Sequence, residues 1–377
     1  MSGIAWGGSE ELWWRTARCL QGRGHQVAVS YKWWSEPARQ LKELMDNGGQ
    51  VFWRETPPLS FWPRQWGRVR SWFGNGAYTR NWLQAAQPDA VLITLGYHPD
   101  RIYVADECRR MGIPYAINVQ SASHFFFIHG DLVPQYRNWY QGAERVYFVS
   151  RENQDKLETN LAVRLDNAEI VDNPFNIDPH LVVDWPPTEP NWRLACVGRV
   201  HFQSKGQDLI LEVMQRPHWR ERNLEILFFG KDQGNALQLK ELITLHGLHE
   251  KLKFVGFDED MSDVWKQCHG LILPSRYEGA ALVIVEAMLA RRMCVTTDTG
   301  RNRELIDDNR SGFIAPAATA DILDATLERA WQARAQWQSM GELAGKHIRE
   351  RYSSDPVGDF ADRLIQLGAA NRAVVSC

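Results

Sequence analysis

The sequence lacks long hydrophobic runs. No apolar stretch free of charges reaches about 18 residues, the length that predicts a membrane-spanning helix, and ALVIVEAMLA is interrupted by Glu286. The first residues, MSGIAWGGSEELWW, lack the basic segment and apolar core of a secretory signal. We therefore expect a cytoplasmic protein without a membrane span.

Cysteine is scarce, and basic residues are not in excess. The six cysteines show no C-x-x-C or paired spacing, which favours reduced thiols over a disulfide or zinc framework. Lys and Arg number 43 against 46 Asp and Glu, so the net charge is −3. Because proteins that bind nucleic acid usually have a strong basic excess, we expect no nucleic-acid partner. Hydrophobic residues at 44% and charged residues at 24% exclude a disordered chain.

The sequence does have an alternation of short apolar runs with longer helical patterns. The runs are QVAVS, AVLITL, YAINVQ and RVYFVS in the first half, then RLACVG, EILFFG, LKFVGF, GLILPS and CVTTD in the second. Strands that alternate with helices indicate parallel sheets with right-handed crossovers. The predicted fold class is α/β, with two Rossmann-like, doubly wound domains facing each other across a cleft.

Domain boundaries follow from length and composition. At roughly 150 residues per domain, 377 residues predict two or three domains, and the Pro- and Asn-rich segment VDNPFNIDPHLVVDWPPTEPNW separates the halves. We predict a first domain over 1–185, a second over 186–355, and a terminal helix over 356–377 that packs back toward the first. The glycine loop Ser2–Gly8 opens a helix without a preceding strand, so that strand is either missing or encoded upstream of Met1.

The segment PSRYEGAALVIVEAM places a loop and then a helix after a predicted strand. Unpaired N–H groups at a helix N-terminus suit a phosphate, and Gly279 allows the backbone to approach a ligand closely. Glu278 lies in the loop. Glu286 lies on the helix, where a carboxylate could accept hydrogen bonds from two vicinal hydroxyls. The alternative is an ordinary amphipathic helix with two solvated glutamates.

The segment CVGRVHFQSKGQDLILEVM places two cations, Arg199 and Lys205, between another predicted strand and a helix. Their charge and donors suit a diphosphate, although a pair of exposed cations is the alternative. The spacing is not that of a P-loop, and no G-x-G-x-x-G follows a strand, which counts against a dinucleotide oxidoreductase. The acidic turn DED at 258–260 does not argue for a metal, so we expect no metal and no other cofactor.

Five blocks occur in one order: GR…KG, FFGKDQG, LKFVGF, LILPSRYEGAALVIVEAM and TDTGRNRELIDDNRSGFI. This order resembles the retaining nucleotide-sugar glycosyltransferases of family four over nearly all of residues 190–365. The stretch GGSEELWWRTARCLQGRGHQVAV resembles the N-terminal half of that family more loosely. The resemblance implies the GT-B fold, in which two Rossmann-like domains have the active site between them.

The resemblance also implies roles for single residues. Glu278 would face the donor sugar, and Glu286 would bind the ribose hydroxyls. Arg199 and Lys205 would hold the diphosphate and stabilise its departure. The rest of the donor site would be Gly279, the backbone amides of Ala280, Ala281 and Leu282, and the N-terminal loop glycines Gly7 and Gly8. The chain departs from the family pattern E-A-M-A-x-G-x-P, because Arg291 and Met293 stand where Gly and Pro are usual.

The first domain is expected to supply the acceptor site and a catalytic histidine. His124 follows the predicted strand YAINVQ, at a sheet edge where a cleft residue belongs, and it loosely resembles the histidine position of the family. His98 and His129 are the other candidates. A structural role is the alternative for each of them.

Residues 52–82 interleave tryptophan with arginine. Five arginines and one glutamate give this segment a local charge of +4. Trp and Arg together suit a lipid headgroup interface or a sugar acceptor surface, and the alternative is core tryptophans with a solvated arginine face. We expect the segment to dock a carbohydrate or lipid-linked acceptor at an anionic membrane surface, on the cytoplasmic side.

The sequence thus predicts a retaining, metal-independent glycosyltransferase. It would move a sugar from a nucleotide diphosphate, UDP before GDP, to an acceptor hydroxyl in polysaccharide, lipopolysaccharide or another glycoconjugate. Departure of a diphosphate builds negative charge that cations and a helix N-terminus stabilise. The alternatives are a non-catalytic or truncated sugar-nucleotide-binding protein, and a sugar-nucleotide epimerase or phosphorylase.

Overall fold

The chain divides into two units. The computed structural model describes residues 6–32, 36, 38–54, 78–98, 100, 102–257 and 260–375. Unit 1 comprises Met1–Pro174 and Asp355–Cys377, and unit 2 comprises Phe175–Ser354. Most of the predicted membrane segment, residues 55–77, lies outside the described residues, as do positions 258 and 259 of the DED turn.

The described part of unit 1 contains six strands in two separate parallel sheets. One sheet is the pair β1 (Ala28–Lys32) and β2 (Gln50–Arg54). The other has the order β3-β4-β5-β6, with β3 (Val91–Leu95), β4 (Tyr115–Val119), β5 (Arg145–Phe148) and β6 (Ala168–Ile170). These short runs are rich in the β-branched and aromatic residues that favour strands. Within the described residues no strand precedes the first helix.

Helices connect these strands. They are α1 (Glu11–Gly22), α2 (Arg39–Asp46), α3 (residues 78–86), α4 (Val104–Met111), α5 (Val133–Gln141) and α6 (Arg151–Leu161). Gly112, in the left-handed conformation, ends α4, and the Ser150 hydroxyl caps the start of α6 by accepting from the Asn153 N–H. All five residues of β4 are buried, which fits a strand covered on both faces.

Unit 2 is built on one six-stranded parallel sheet in the order β9-β8-β7-β10-β11-β12. The strands are β7 (Trp192–Val197), β8 (Leu224–Phe229), β9 (Leu252–Gly256), β10 (Gly270–Leu273), β11 (Met293–Thr297) and β12 (Gly312–Ala315). Successive residues of a strand enter different cores: Leu194 and Cys196 lie in one, and Ala195 lies in the other. Because side chains alternate between the faces of a sheet, the sheet is covered on both sides.

Nine helices accompany this sheet in the described residues. They are α7 (Phe202–Lys205), α8 (Gln207–Met214), α9 (Pro217–Glu221), α10 (Ala236–Leu245), α11 (Met261–Gln267), α12 (Leu282–Leu289), α13 (Asn302–Leu305), α14 (Ala320–Gln332) and α15 (Trp337–Arg351). The last helix, α16 (Pro356–Val375), belongs to unit 1. Its Phe360 and Leu367 are buried in a cluster with Leu12, Tyr147 and Val171.

The predicted apolar runs all overlap strands, whereas β2, β6 and β12 were not predicted. The last two are only three and four residues long, too short for an alternating pattern to be recognised. The predicted domain boundary at 185 also differs from the division after Pro174. The physical reason is that Ile177 and Val183 are buried in the core of unit 2.

The departure from the family pattern after α12 has a visible backbone consequence. Arg291 has φ 59°, the left-handed conformation that glycine adopts most readily. The next residue, Arg292, is buried and donates hydrogen bonds to the carbonyls of Trp265, Cys268, Ala290 and Asp184. The chain therefore keeps the turn without glycine, and a buried guanidinium satisfies the carbonyl groups around it.

A buried histidine, His269, lies immediately before β10 of the unit 2 sheet. His269 is fully buried against Trp185 and Trp192, with ring centroids 5.3 and 4.9 Å away. Its Nδ1 accepts a hydrogen bond from the Arg193 N–H at 2.9 Å, which requires an unprotonated Nδ1. Burial lowers the pKa of His269 to about 4.

We predict that acid destabilises unit 2 through His269. As pH falls from about 6.5 toward 4, only the unfolded state takes up a proton on this residue. Its contribution to the free energy of unfolding is complete above pH 6.5 and should be about 2 kcal/mol smaller at pH 5. Urea unfolding at pH 7 and pH 5 measures this loss, and His269→Gln should remove it. An unchanged pH dependence in the variant would contradict the prediction.

Candidate active site

The order of the unit 2 sheet has a switch point between β7 and β10. Consecutive strands are added on one side of β7 and on the other side of β10, and ligands of doubly wound folds bind at the carboxyl ends of such strands. Gly198 and Arg199 follow β7, and Glu278 lies in the loop after β10. The sheet thus brings the two predicted motifs side by side.

Lys205 and Glu278 form an ion pair at this switch point. The Nζ atom of Lys205 lies 2.5 Å from Oε1 of Glu278, and the two side chains are only 16% and 11% exposed. Ser275 donates its hydroxyl hydrogen bond to the same carboxylate oxygen at 2.7 Å. Thr297 in turn donates to the Ser275 carbonyl at 2.5 Å. The carboxylate is therefore held in a defined position beside the ammonium group.

Two further groups lie in this region, a cation (Arg199) and an imidazole (His201). Arg199 is half-buried, and its guanidinium makes no hydrogen bond or ion pair with the described part of the chain. His201 lies close by, with Nδ1 2.8 Å from the Ser204 hydroxyl oxygen. Burial, together with the positive charges of Arg199 and Lys205, lowers the pKa of His201. The arrangement can hold an anion between two cations and a neutral imidazole.

The loop after Glu278 packs tightly. Gly279 is buried, Ala280 lies between it and the N-cap residue Ala281, and Leu282 begins α12. The amides predicted to bind phosphate thus lie at a helix N-terminus. On the other side, Gly300 has φ +60°, and a Cβ built there would lie 2.5 Å from the Gly279 carbonyl oxygen. The loop after β11 therefore rests directly on the Glu278–Gly279 backbone.

Glu286 lies about one turn into α12. It is only 3% exposed. Its Oε1 accepts hydrogen bonds from the backbone N–H and the side-chain amide of Asn176, at 3.0 and 3.2 Å. Sequence reasoning missed Asn176, because it belongs to the Pro- and Asn-rich stretch that was interpreted as a domain linker.

The N-terminal glycines open the first helical turn of unit 1. Gly7 donates its N–H to the Glu10 carboxylate at 2.8 Å, and Ser9 donates its hydroxyl to the same oxygen at 2.8 Å. Gly8 is exposed, and a Cβ on it would meet no atom within 4 Å. A side chain at Gly8 would therefore extend into open space without disturbing the fold.

The three candidate histidines occupy different environments. His98 is fully buried, with Nε2 2.9 Å from the Phe126 carbonyl oxygen, and burial lowers its pKa to about 4. It supports the loop that contains His124, whose side chain is exposed. His129 is also exposed, with Nδ1 3.4 Å from the Asp131 carboxylate. His98 is thus a structural histidine, whereas His124 is accessible after β4.

Two features are absent from the part of the chain that the structure describes. No group of three or more His, Cys, Asp and Glu side chains there could hold a metal ion. None of the helices in that part of the chain combines the length and apolar character needed to cross a bilayer.

Two family models match the chain. The model described as Glycosyltransferase Family 4 matches residues 6–179, and the model described as Glycosyl transferases group 1 matches residues 191–332. The chain belongs to these glycosyltransferase families. The resemblance seen in the five blocks is thereby confirmed, and the matches extend across most of both units.

Two characterised relatives align with part of the chain. The alpha-D-kanosaminyltransferase of Streptomyces kanamyceticus is 29% identical over 166 residues, which are 43% of this chain and 42% of that protein. A lipopolysaccharide core biosynthesis mannosyltransferase of Rhizobium leguminosarum bv. viciae is 28% identical over 164 residues, 42% of this chain and 46% of that protein. The aligned region therefore spans less than half the length of these relatives.

Solved structures extend the likeness to the whole chain. Anabaena HepE in complex with UDP superposes with a TM-score of 0.74 and 16% identity, over 97% of this chain and 98% of that chain. The same protein in complex with UDP-glucose gives a TM-score of 0.72. At this identity the likeness shows the fold alone, which is GT-B with two Rossmann-like α/β domains.

We predict that Gly300→Ala lowers the free energy of unfolding by more than backbone strain alone. Gly247 also has a φ of +61°, but a Cβ there would meet no atom within 4 Å, so Gly247→Ala is the matched control. Left-handed strain should destabilise both variants by about 1 to 2 kcal/mol. Overpacking against Gly279 should add about 1 to 3 kcal/mol in Gly300→Ala alone. Urea unfolding measures both, and equal losses would show that the loop contact is dispensable.

Proposed function

We propose that the protein is a glycosyltransferase that moves a sugar from a nucleotide diphosphate to an acceptor hydroxyl. The observation that carries the proposal is the Lys205–Glu278 pair, with Arg199 beside it, at the switch point of unit 2. Membership of the glycosyltransferase families supports it. A phosphate-binding helix N-terminus and a buried carboxylate, Glu286, complete a set of groups suited to a nucleotide sugar.

The proposed chemical step is cleavage of the bond between the anomeric carbon and the diphosphate oxygen. The electron pair of that bond leaves with the diphosphate, so negative charge grows there in the transition state. Lys205, held by Glu278, and the half-buried Arg199 stabilise this charge in a partly desolvated site. Because two cations and the N-terminus of α12 supply the positive potential, the reaction needs no divalent metal.

Glu278 and Glu286 are assigned to different parts of the donor. Glu278, held by Lys205 and Ser275, faces the transferred sugar and accepts hydrogen bonds from its hydroxyls. Glu286, oriented by Asn176, accepts from the two ribose hydroxyls. UDP is the favoured carrier and GDP the next, a preference supported by the UDP and UDP-glucose complexes of the HepE relative in fold.

The transfer is proposed to retain anomeric configuration. The acceptor hydroxyl attacks from the face that the diphosphate leaves, and its proton passes to the leaving phosphate oxygen. Unit 1 is proposed to supply the acceptor site, in which His124 is the accessible histidine. Gly7 and Gly8 are proposed to allow close contact between the backbone and the substrate. The acceptor is a carbohydrate or a lipid-linked carbohydrate, consistent with a lipopolysaccharide mannosyltransferase among the relatives.

We predict that Lys205→Ala and Glu286→Ala each reduce turnover at least about a hundredfold. Lys205 donates to the departing diphosphate, and one such transition-state donor is worth about 3 kcal/mol. Loss of Glu286 removes the acceptor that positions the ribose, and misplacement of the reacting groups costs about a hundredfold. Purified protein is offered UDP-, GDP- and ADP-linked sugars, and free nucleotide is measured with and without chelator. Lys253→Ala is the control, because Lys253 also pairs with a buried glutamate of unit 2, Glu225, at 2.8 Å. We expect near-normal turnover in the control and release that is insensitive to chelator.

Two results would contradict this assignment. Near-normal turnover in Lys205→Ala or Glu286→Ala would remove these residues from the site. Silence from every donor, with no binding of UDP or GDP, would instead favour a non-catalytic protein and end the transferase proposal. Conversion of the sugar nucleotide without release of free nucleotide would indicate an epimerase.

We further propose that residues 52–82 hold the protein on the cytoplasmic face of an anionic membrane. The excess of arginine over acidic residues in this segment supports the proposal, because juxtaposed tryptophan and arginine suit a headgroup interface. Wild-type protein should float with vesicles that contain anionic lipid at low salt and sink at high salt. The triple variant Arg64→Glu, Arg68→Glu, Arg70→Glu should stay unbound. Equal flotation of wild type on purely zwitterionic vesicles would contradict the electrostatic mechanism.

A further inference from the structure

Lys205, which is proposed to bind the diphosphate, lies on a very short helix. Lys205 ends α7, a single helical turn of four residues, and Gly206 follows with φ +68°. A Cβ on Gly206 would lie 2.1 Å from the Pro274 carbonyl oxygen, so this backbone is pressed against the loop after β10. One helical turn makes too few hydrogen bonds to fix the direction of a long lysine side chain by itself.

Arg276, in the loop that contains Glu278, forms hydrogen bonds to α7. Its backbone N–H donates to the Ser204 carbonyl at 2.8 Å. Its Nη1 donates to the Phe202 carbonyl at 2.6 Å. Its two terminal nitrogens also form a bidentate pair with Asp208 on α8, at 2.8 and 2.6 Å. Arg276 therefore contacts the beginning and end of α7 and the first turn of α8.

The Arg276–Asp208 pair also has an electrostatic role. Asp208 is an acid three residues beyond Lys205, in the first turn of α8. Arg276 neutralises it with the planar, two-point geometry that guanidinium and carboxylate favour. Without Arg276, the carboxylate of Asp208 would oppose an incoming anion, and α7 would lose its side-chain anchor.

We propose that Arg276 is a positioning residue that fixes Lys205 against Glu278 and shields the diphosphate from Asp208. The proposal rests on the function proposed above. Arg276 itself touches neither donor nor acceptor in this scheme. It acts through α7, and lysine at this position would not replace it, because an ammonium cannot form the same planar fork.

The test compares Arg276→Ala with Arg222→Ala, a matched control in the same unit. Arg222 also forms a bidentate pair, with Glu328 at 2.5 and 3.1 Å, and the exposed fractions of the two pairs are similar: 26% and 34% for Arg276 and Asp208, 20% and 35% for Arg222 and Glu328. We expect kcat to fall about 10- to 100-fold in Arg276→Ala, with a Tm no lower than that of the control. Arg276→Lys should recover little of the loss.

A second experiment measures how accessible the Lys205 ammonium group is to acetylation, and it does not depend on enzyme activity. Folded protein is treated with a limiting amount of acetic anhydride, and acetylation of each lysine is measured by peptide mass spectrometry relative to Lys253. Lys205 is mostly buried in its ion pair, so it should react slowly in wild type and at least about threefold faster in Arg276→Ala. The control Arg222→Ala should leave its reactivity unchanged.

A third arm isolates the charge of Asp208. Adding Asp208→Asn to Arg276→Ala should restore part of the affinity for UDP, measured by calorimetry, because the opposing carboxylate has been removed. Unrestored affinity would overturn the shielding role.

Unchanged acetylation of Lys205 in Arg276→Ala overturns the positioning role, whatever happens to activity. Faster acetylation with an unaltered kcat also overturns it, because Lys205 would then move without consequence for the reaction. If wild type cleaves no donor, the proposed function fails, and the acetylation result still decides whether Arg276 fixes Lys205.

Discussion

The contact between the Lys205 ammonium and the Glu278 carboxylate is the constraint on which the site depends. Both groups are largely removed from water, and a buried charge is tolerated only while its partner stays in place. Lys205 lies on the short helix α7 after β7, and Glu278 lies in the loop after β10. The sheet order must therefore keep these strands adjacent, and the loops can vary only within the reach of two side chains.

Several other contacts follow from that constraint. Ser275 fixes the glutamate, Thr297 fixes Ser275, and Gly300 brings a third loop onto the Gly279 carbonyl. A lysine ammonium has three hydrogen-bond donors, so Lys205 can keep its bond to Glu278 and still donate to a phosphate oxygen. The ion pair thus keeps the ammonium group in one position, although both charges lose most of their contact with water.

Much of the architecture could be predicted from the sequence, because alternating strands and helices leave few topologies. Arg199 and Glu278 were predicted as site residues because each follows a predicted strand, and parallel sheets gather the carboxyl ends of strands along one edge. The side-chain contacts around the candidate site were not predictable. Asn176 meets Glu286, and Arg276 meets Asp208, across long sequence separations that no local pattern encodes. His98 was misleading because sequence spacing cannot distinguish a buried imidazole from an accessible one.

Unit 1 is formed by two separate stretches of the chain, which has a consequence for folding during synthesis. Unit 2 is one continuous stretch of chain, whereas unit 1 is completed by α16, which follows all of unit 2 in the sequence and is therefore synthesised after it. Until then, the apolar surface formed by Leu12, Tyr147 and Val171 has no cover from Phe360 and Leu367. Since domains generally fold as units during synthesis, unit 2 can finish first while unit 1 waits with an exposed hydrophobic face. A helix synthesised after unit 2 thus completes a domain that begins before it, and a nascent chain stalled before α16 would expose that face to chaperones and to aggregation.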